Sequence, residues 1–207
     1  VRGRTVRPRR SVAEGRGLCL ALHKPRGVLT TRSDPGGGRT VYDLVEEPPG
    51  GRLVYVGRLD RDTEGLLLLT DDGRLAHRLT HPRWEVERAY TADVRGDLDE
   101  RRLRQGAARG IELSDGRTAP FAARVTRRHG SGPLARRRIE LVLREGRKRE
   151  VRRILEACGG EVERLVRTRF GTVSMRGLPP GKARRLSPRE LDRLRASVGL
   201  TTDGGQG

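Results

Sequence analysis

One short segment, Val54–Gly73, constrains the fold of this chain more than any other. It contains the longest unbroken apolar run in the protein, Gly65–Leu69, which is closed by Thr70 and the turn residues Asp71–Gly73. A run of this length between turn residues is typical of a buried strand. Asp60 therefore lies in a loop directly before a rigid core strand, where a functional side chain gains positional precision.

Two interpretations of Asp60 follow. An aspartate that stays ionised beside an arginine can act as a nucleophile, and the segment Gly146–Arg149 offers arginines at a predicted strand-to-helix turn. Alternatively, Asp60 caps the following turn or pairs with Arg58 or Arg61 at the surface. Most loop aspartates do one or the other, so residue type alone favours the structural role.

The charge balance indicates a polyanionic partner. There are 45 Lys and Arg residues against 27 Asp and Glu residues, a formal net charge of +18, and the only lysines are Lys24, Lys148 and Lys182. Codon bias in a G+C-rich genome explains arginine in place of lysine, but it does not explain the excess of basic residues. Because arginine binds phosphate through a planar fork and stacks on unpaired bases, RNA is the expected partner.

A predicted helix after Gly146 has one apolar and one basic face. The apolar residues recur with helical spacing and are Val151, Ile154, Leu155 and Cys158. The opposite face carries Arg149, Arg152 and Arg153. Such a face is either simply solvated or contacts RNA, and the net charge favours RNA.

Period-two patterns predict several strands joined by short turns. Tyr90 lies in the middle of one strand, where a tyrosine is more often a core residue than a ligand-binding one. Another pattern predicts a hairpin of Ile111–Leu113 with Phe121–Val125, followed by a basic loop at Arg127–Pro133. Because strands outnumber helices without regular βαβ alternation, we expect an α+β fold with a mixed or largely antiparallel sheet.

We expect one domain with two lobes over residues 17–200. Residues 1–16 are interpreted as a basic tail or the remnant of a preceding module, and residues 201–207 as a disordered tail. The histidines share no metal-ligand spacing with Cys19 or Cys158, and no glycine-rich nucleotide-binding motif occurs, so we expect neither a metal nor another cofactor. Without a predicted membrane span or signal segment, we expect a cytoplasmic monomer.

The segment Gly57–Gly73 closely resembles the signature of the Rsu-type ribosomal RNA pseudouridine synthases. Further motifs of that family follow in order over about Leu18 to Leu194. They are Lys24–Gly27, His81-Pro82 with Arg88–Tyr90, Glu145–Arg153, Leu165–Arg167 and Phe170-Gly171. Family members usually carry Gln where this chain has Glu150.

The resemblance implies the pseudouridine synthase fold, with flanking helices and a central RNA-binding cleft. It implies that residues 17–200 are the catalytic domain and that residues 1–16 are a tail or the remnant of an N-terminal RNA-binding module. It also implies an enzyme that isomerises a specific uridine in ribosomal RNA, the large subunit being favoured, without metal or organic cofactor. The alternatives are a synthase for small-subunit ribosomal RNA or transfer RNA, and a non-catalytic RNA-binding or ribosome-assembly protein.

The same resemblance assigns roles to individual residues. Asp60 would be the nucleophile, Arg147 would pair with it, and Tyr90 would stack against the target base. Leu165 would line the pocket and Arg58 would hold the RNA. Further RNA contacts are expected from Lys24, Arg149, Arg152 and Arg153.

Overall fold

A mixed β-sheet organises the computed structural model, which describes residues 17–48 and 52–200. Its strands are β1 (Cys19–Lys24), β2 (Val54–Val56), β3 (Thr63–Thr70), β4 (Arg88–Arg95), β5 (Glu112–Leu113), β6 (Gly116–Arg117), β7 (Ala122–His129), β8 (Arg136–Leu143), β9 (Glu161–Phe170), β10 (Val173–Ser174) and β11 (Ala183–Arg185). Its α-helices are α1 (Gly73–Thr80), α2 (Glu100–Arg109), α3 (Glu150–Ala157) and α4 (Pro188–Ala196). The two predicted tails, 1–16 and 201–207, lie outside the described residues.

Nine of these strands form one sheet in the described part of the chain. Its order is β11-β1-β3-β9-β4-β8-β7, with β2 added to β3 and β10 added to β9. The pair β3–β9 is parallel, and the other pairs in the sheet are antiparallel. This confirms the predicted α+β class with a mixed, largely antiparallel sheet.

The leucine run forms the centre of the sheet, as the sequence predicts. All four leucines of β3 are fully buried. Leu66 and Leu68 pack with residues of α1 and α4, whereas Leu67 and Leu69 pack with Leu20 and Leu22 of β1 in a separate cluster. Burial of each such side chain contributes about 1.5–3 kcal/mol, so β3 holds the preceding Asp60 loop on a rigid base.

Gly65 permits the unusually close approach of β3 to β9. Its φ is +110°, and a Cβ built on it would lie 2.3 Å from the carbonyl oxygen of Arg167. Only glycine tolerates both the positive φ and this contact. The close pair places Thr63 opposite Leu165, so the end of the Asp60 loop lies beside β9.

The predicted hairpin of Ile111–Leu113 with Phe121–Val125 is wrong. Instead β5 pairs with β6 across a tight turn that ends at Gly116, whose φ is +100°. The chain then continues into β7, which pairs with β8 and extends to His129, through most of the predicted basic loop. The alternating pattern found both strands but did not specify their partners, because partners are chosen by packing distant in sequence.

Helix ends follow the sequence signals more closely. Ser187 accepts the backbone N–H of Glu190 while the Glu190 side chain accepts the backbone N–H of Ser187, which confirms the predicted capping box of α4. Across residues 17–48 and 52–200, no helix has the length and apolar character needed to span a bilayer.

Candidate active-site pocket

A pocket of about 680 Å³ opens between the Asp60 loop and the segment that leads into α3. Six of the residues singled out from the sequence line it. They are Arg58, Asp60, Tyr90, Arg147, Arg149 and Leu165. The strand register explains how they meet: Leu165 of β9 lies opposite Thr63 on one side and Ala92 on the other, and Tyr90 lies two positions from Ala92 on β4.

Backbone and side-chain hydrogen bonds fasten the Asp60 loop to the segment after β1. The Thr30 hydroxyl donates to the carbonyl oxygen of Leu59 at 2.8 Å, and the backbone N–H of Gly27 donates to the carbonyl oxygen of Arg61 at 2.7 Å. The backbone N–H of Thr63 donates to the carbonyl oxygen of Asp60 at 3.1 Å, closing the turn. The loop is therefore supported before, at and after Asp60.

Lys24 does not reach the surface, contrary to the expectation of an RNA contact. Its side chain is fully buried, and Nζ donates to the carbonyl oxygens of Val28 at 2.8 Å and Pro25 at 3.1 Å. Burial lowers the pKa of Lys24 to about 8, against the attraction of Asp62 and Asp60. Lys24 is thus a buried cation whose side-chain hydrogen bonds hold the turn that follows β1, and Asp62 and Asp60 act on it electrostatically.

Arg152 is also buried, at 5% exposure, so the predicted basic face of α3 is not one continuous exposed surface. Its Nη1 donates to the carbonyl oxygen of Val162 at 3.0 Å, and its Nη2 lies 3.1 Å from the Asp62 carboxylate. Arg153 points elsewhere and donates to Asp115 at 3.0 Å, outside the pocket lining. Charged residues with dedicated partners can be buried, which helical spacing alone does not indicate.

The third arginine, Arg149, does line the pocket. It precedes α3 in the left-handed conformation, with φ 51° and ψ 30°, and its Nη1 lies 3.3 Å from Asp62. A non-glycine residue in this conformation is uncommon and is often found at functional sites.

Arg147 lines the pocket but does not form the expected pair with Asp60. Its Nε donates to Glu145 at 3.0 Å, and its Nη1 and Nη2 donate to the carbonyl oxygens of Gly116 and Arg117 at 2.9 and 2.6 Å. Asp60 instead attracts Lys24 and Arg152, and Asp62 attracts each of these two cations more strongly than Asp60 does. The guanidinium of Arg147 therefore donates its hydrogen bonds to Glu145 and to the β5–β6 hairpin.

Tyr90 fits both interpretations that its strand position allowed. The side chain is half-buried and packs against two of the hydrophobic clusters, and it also lines the pocket. A ring held in this way offers a rigid apolar surface at low entropic cost.

Two buried arginines in the pocket lining belong to motifs noted in the sequence but were assigned no role there. Arg88 and Arg167 lie 5.1 and 5.0 Å from the centre of the Phe170 ring, and Arg167 donates from Nε to the carbonyl oxygen of Leu66 at 2.8 Å. Burial lowers the pKa of Arg88. A signal for Arg88 existed, because it occupies the otherwise apolar face of its strand between Val86 and Tyr90.

An acidic pair, also missed, forms another part of the wall. Glu150 accepts the backbone N–H of Arg147 at 3.1 Å, and burial together with the neighbouring Glu145 raises the pKa of Glu150 to about 8. In the described residues, no three or more His, Cys, Asp or Glu side chains cluster as metal ligands. The arrangement combines the carboxyl groups of Asp60, Glu145 and Glu150 with one aromatic ring and several cations. The ring and the cations suit a planar base on a polyanionic chain.

Known proteins resemble this chain over most of its length. A protein-family model described as RNA pseudouridylate synthase matches residues 19–157. The chain is 42% identical over 175 residues to the ribosomal large subunit pseudouridine synthase B of Bacillus subtilis, covering 84% of this chain and 70% of that protein. It is 45% identical over 182 residues to the synthase of the same name from Salmonella typhimurium, covering 87% of this chain and 61% of that protein.

A solved structure of a pseudouridylate synthase superposes with a TM-score of 0.75 at 31% identity, covering 86% of this chain and 74% of that chain. The chain therefore spans about three-fifths to three-quarters of the length of these proteins.

Proposed function

This chain belongs to the RNA pseudouridylate synthase family, and from that membership we propose that it isomerises uridine to pseudouridine in RNA. The observation that supports this most directly is the position of Asp60. Its loop is fixed by hydrogen bonds on both sides, and the residue lines a 680 Å³ pocket together with Tyr90 and Leu165. Residues 17–200 are the proposed catalytic domain.

The proposed substrate is large-subunit ribosomal RNA. The relatives that are 42–45% identical are named for that activity, and a net charge of +18 suits a polyanionic partner. Extruding a uridine from a stacked RNA costs a few kcal/mol, which base stacking and arginine–phosphate contacts offset. Exposed Arg58 and Arg149 at the pocket are the proposed phosphate contacts.

The proposed chemistry uses Asp60 as the nucleophile. Its carboxylate attacks either carbon 6 of uracil or the anomeric carbon of the ribose, and the bond between N1 and the ribose breaks. The base rotates, a bond forms between carbon 5 and the ribose, and the bond to Asp60 breaks, which regenerates the carboxylate. The proton on carbon 5 leaves and N1 takes up a proton. Tyr90 stacks on the base and assists removal of that proton, and Leu165 lines the base pocket. Because no electrons are exchanged with another molecule, the reaction requires no redox cofactor.

Arg147 takes a different role from the one that the resemblance implies. Its guanidinium holds Glu145 and the β5–β6 hairpin, so we propose that it shapes the pocket wall instead of pairing with Asp60. We further propose that the protein acts in the cytoplasm as a monomer.

Release of tritium from uracil carbon 5 tests the activity, because that hydrogen leaves only when the base is reattached. We expect wild-type protein to release tritium from labelled large-subunit ribosomal RNA, and Asp60→Asn to be slower by on the order of 10³-fold or more. Asp97→Asn, an exposed aspartate outside the pocket, is the matched control and should retain wild-type release. Binding without release from any large-subunit, small-subunit or transfer RNA would favour the non-catalytic alternative.

A further inference from the structure

We infer that Asp62 is a positioning residue for Asp60, acting through Arg152, Arg149 and Lys24. The inference rests on the proposed catalytic role of Asp60. Asp62 lies two positions after Asp60 in the same loop, and its side chain is one-third exposed. Asp62 contacts Arg149, which lines the pocket, and the buried Arg152, and it acts electrostatically on Lys24.

Arg152 connects Asp62 to two other elements. The Nη2 group lies 3.1 Å from the Asp62 carboxylate and donates to the Asp62 carbonyl oxygen, also at 3.1 Å, while Nη1 donates to the carbonyl oxygen of Val162. The guanidinium thus joins the Asp60 loop, helix α3 and the start of β9. Because Arg152 is 5% exposed, water does not readily replace these partners.

Arg149 makes a second connection between α3 and the loop. Its guanidinium donates to both carboxylate oxygens of Asp62 at 3.3–3.5 Å. The left-handed backbone of Arg149, with φ 51°, is unfavourable for a residue with a side chain and persists only where the surroundings stabilise it. Hydrogen bonds to the Asp62 carboxylate help to stabilise this conformation, and they keep the side chain of Arg149 at the pocket.

Asp62 outweighs Asp60 in its attraction for the neighbouring cations. Among the described residues, Asp60 forms no ion pair within 4 Å. Both carboxylates attract Arg152 and Lys24, and Asp62 exerts the larger attraction on each of them. Removing the side-chain acceptor of Asp62 deprives the buried Arg152 guanidinium of one of its partners and weakens the connection between the Asp60 loop and α3.

The charges that face Lys24 give the inference a measurable signature. Asp62, Asp60 and Glu64 raise its pKa, whereas burial and Arg167 lower it. When Lys24 loses its proton, one of the two cations that Asp60 attracts becomes neutral. Neutralising Asp62 therefore shifts the alkaline fall in activity to lower pH, since the protonated form of Lys24 loses its strongest electrostatic support.

Two substitutions separate the position of Asp60 from the charge balance around it. Asp62→Ala removes the acceptor for Arg152 and should lower kcat for tritium release by at least about tenfold, with the KM for RNA changed less than about threefold. Asp62→Asn keeps an acceptor oxygen and should retain at least about a third of the wild-type kcat at pH 7, with its alkaline fall at lower pH. Glu64→Ala, which removes a neighbouring carboxylate paired with Arg164 at 2.8 Å, is the control and should stay within about twofold.

Wild-type kcat and pH profile in both Asp62 variants would overturn the inference. So would an equal loss of kcat in Glu64→Ala, or an effect of Asp62→Ala on KM alone. If Asp62→Ala melts more than about 8 °C below the wild type, the pH profile of Asp62→Asn alone decides the outcome. Release by the wild type that survives Asp60→Asn refutes the proposed function itself, whereas release that is lost in Asp60→Asn and unchanged in the Asp62 variants refutes only the role of Asp62.

Discussion

Gly65 of β3 lies so close to Arg167 of β9 that a Cβ at position 65 would be 2.6 Å from the Arg167 backbone nitrogen. The φ of Gly65, +110°, adds a second obstacle to any side chain. We predict that Gly65→Ala lowers the free energy of unfolding by at least about 3 kcal/mol, measured by urea denaturation. Gly73→Ala is the control, because nothing lies within 4 Å of a Cβ there and the residue starts α1. A similar loss in both variants would contradict this account.

Glu150 makes stability depend on pH. Its folded pKa of about 8 exceeds the ordinary carboxyl value of 4.5, so between these values the folded protein binds more protons than the unfolded chain. Wild-type stability therefore falls as pH rises through this window. Glu150→Gln does not titrate and keeps an acceptor for Arg147, so its gain in the free energy of unfolding over the wild type should grow by about 4 kcal/mol between pH 4.5 and pH 8.

Urea denaturation at several pH values between 5 and 9 checks this prediction. Glu156→Gln alters an exposed glutamate on the same helix and should show no such growth. A constant difference between Glu150→Gln and the wild type across the range would refute the account of the buried pair.

Glu190 changes the pH dependence of stability in the opposite direction from Glu150. Hydrogen bonds from Arg184 and Ser187 lower its pKa to about 2, so its stabilising contribution is complete above about pH 4.5 and is lost as pH falls toward 2. We predict that Glu190→Ala costs about 1–2 kcal/mol at pH 7 because both the capping box and the ion pair disappear. The difference from wild type should shrink in thermal melts at progressively lower pH. Glu161→Ala, at a more exposed ion pair, should cost under about 0.5 kcal/mol.

Exposed Arg58 should contribute to RNA affinity through phosphate. For Arg58→Ala we expect weaker binding of a large-subunit ribosomal RNA transcript, with the slope of log affinity against log salt reduced by about 0.7–0.9. Fluorescence anisotropy over a salt series measures this slope. Arg124→Ala changes another exposed arginine, which lies on β7 outside the pocket and pairs with Glu140 of β8. This variant should leave the slope unchanged. An equal change in both variants would place the phosphate contact elsewhere.

Local signals account for the parts of the fold and site that the sequence predicted. The apolar run Gly65–Leu69 marked the central strand, the Ser187–Glu190 spacing marked the start of α4, and both features depend on neighbouring residues alone. The position of Asp60 ahead of β3 followed from the same local pattern. The proximity of Asp60 to Tyr90 and Leu165 was expected only from the family resemblance, because local periodicity does not determine the order of strands in a sheet.

The errors concern charged residues whose partners are distant in sequence. Lys24 and Arg152 were expected at the surface because charge usually indicates exposure, yet both are buried by groups from the Asp60 loop and neighbouring segments. Arg147 was expected beside Asp60, but the β5–β6 hairpin satisfies its donors. No pattern within a single helix or strand indicates that a charged side chain will find its hydrogen-bond partners in segments distant in sequence.

The parallel pair of β3 and β9 determines when the pocket can exist during synthesis. The bond from Arg167 to Leu66 joins positions 101 residues apart, and contacts of such long range form slowly because a long loop must close first. A nascent chain that ends after α3 contains Asp60, Tyr90 and Arg149 but lacks Leu165 and the strand beside them. The chain therefore acquires the pocket that we propose acts on ribosomal RNA only after β9 has been synthesised.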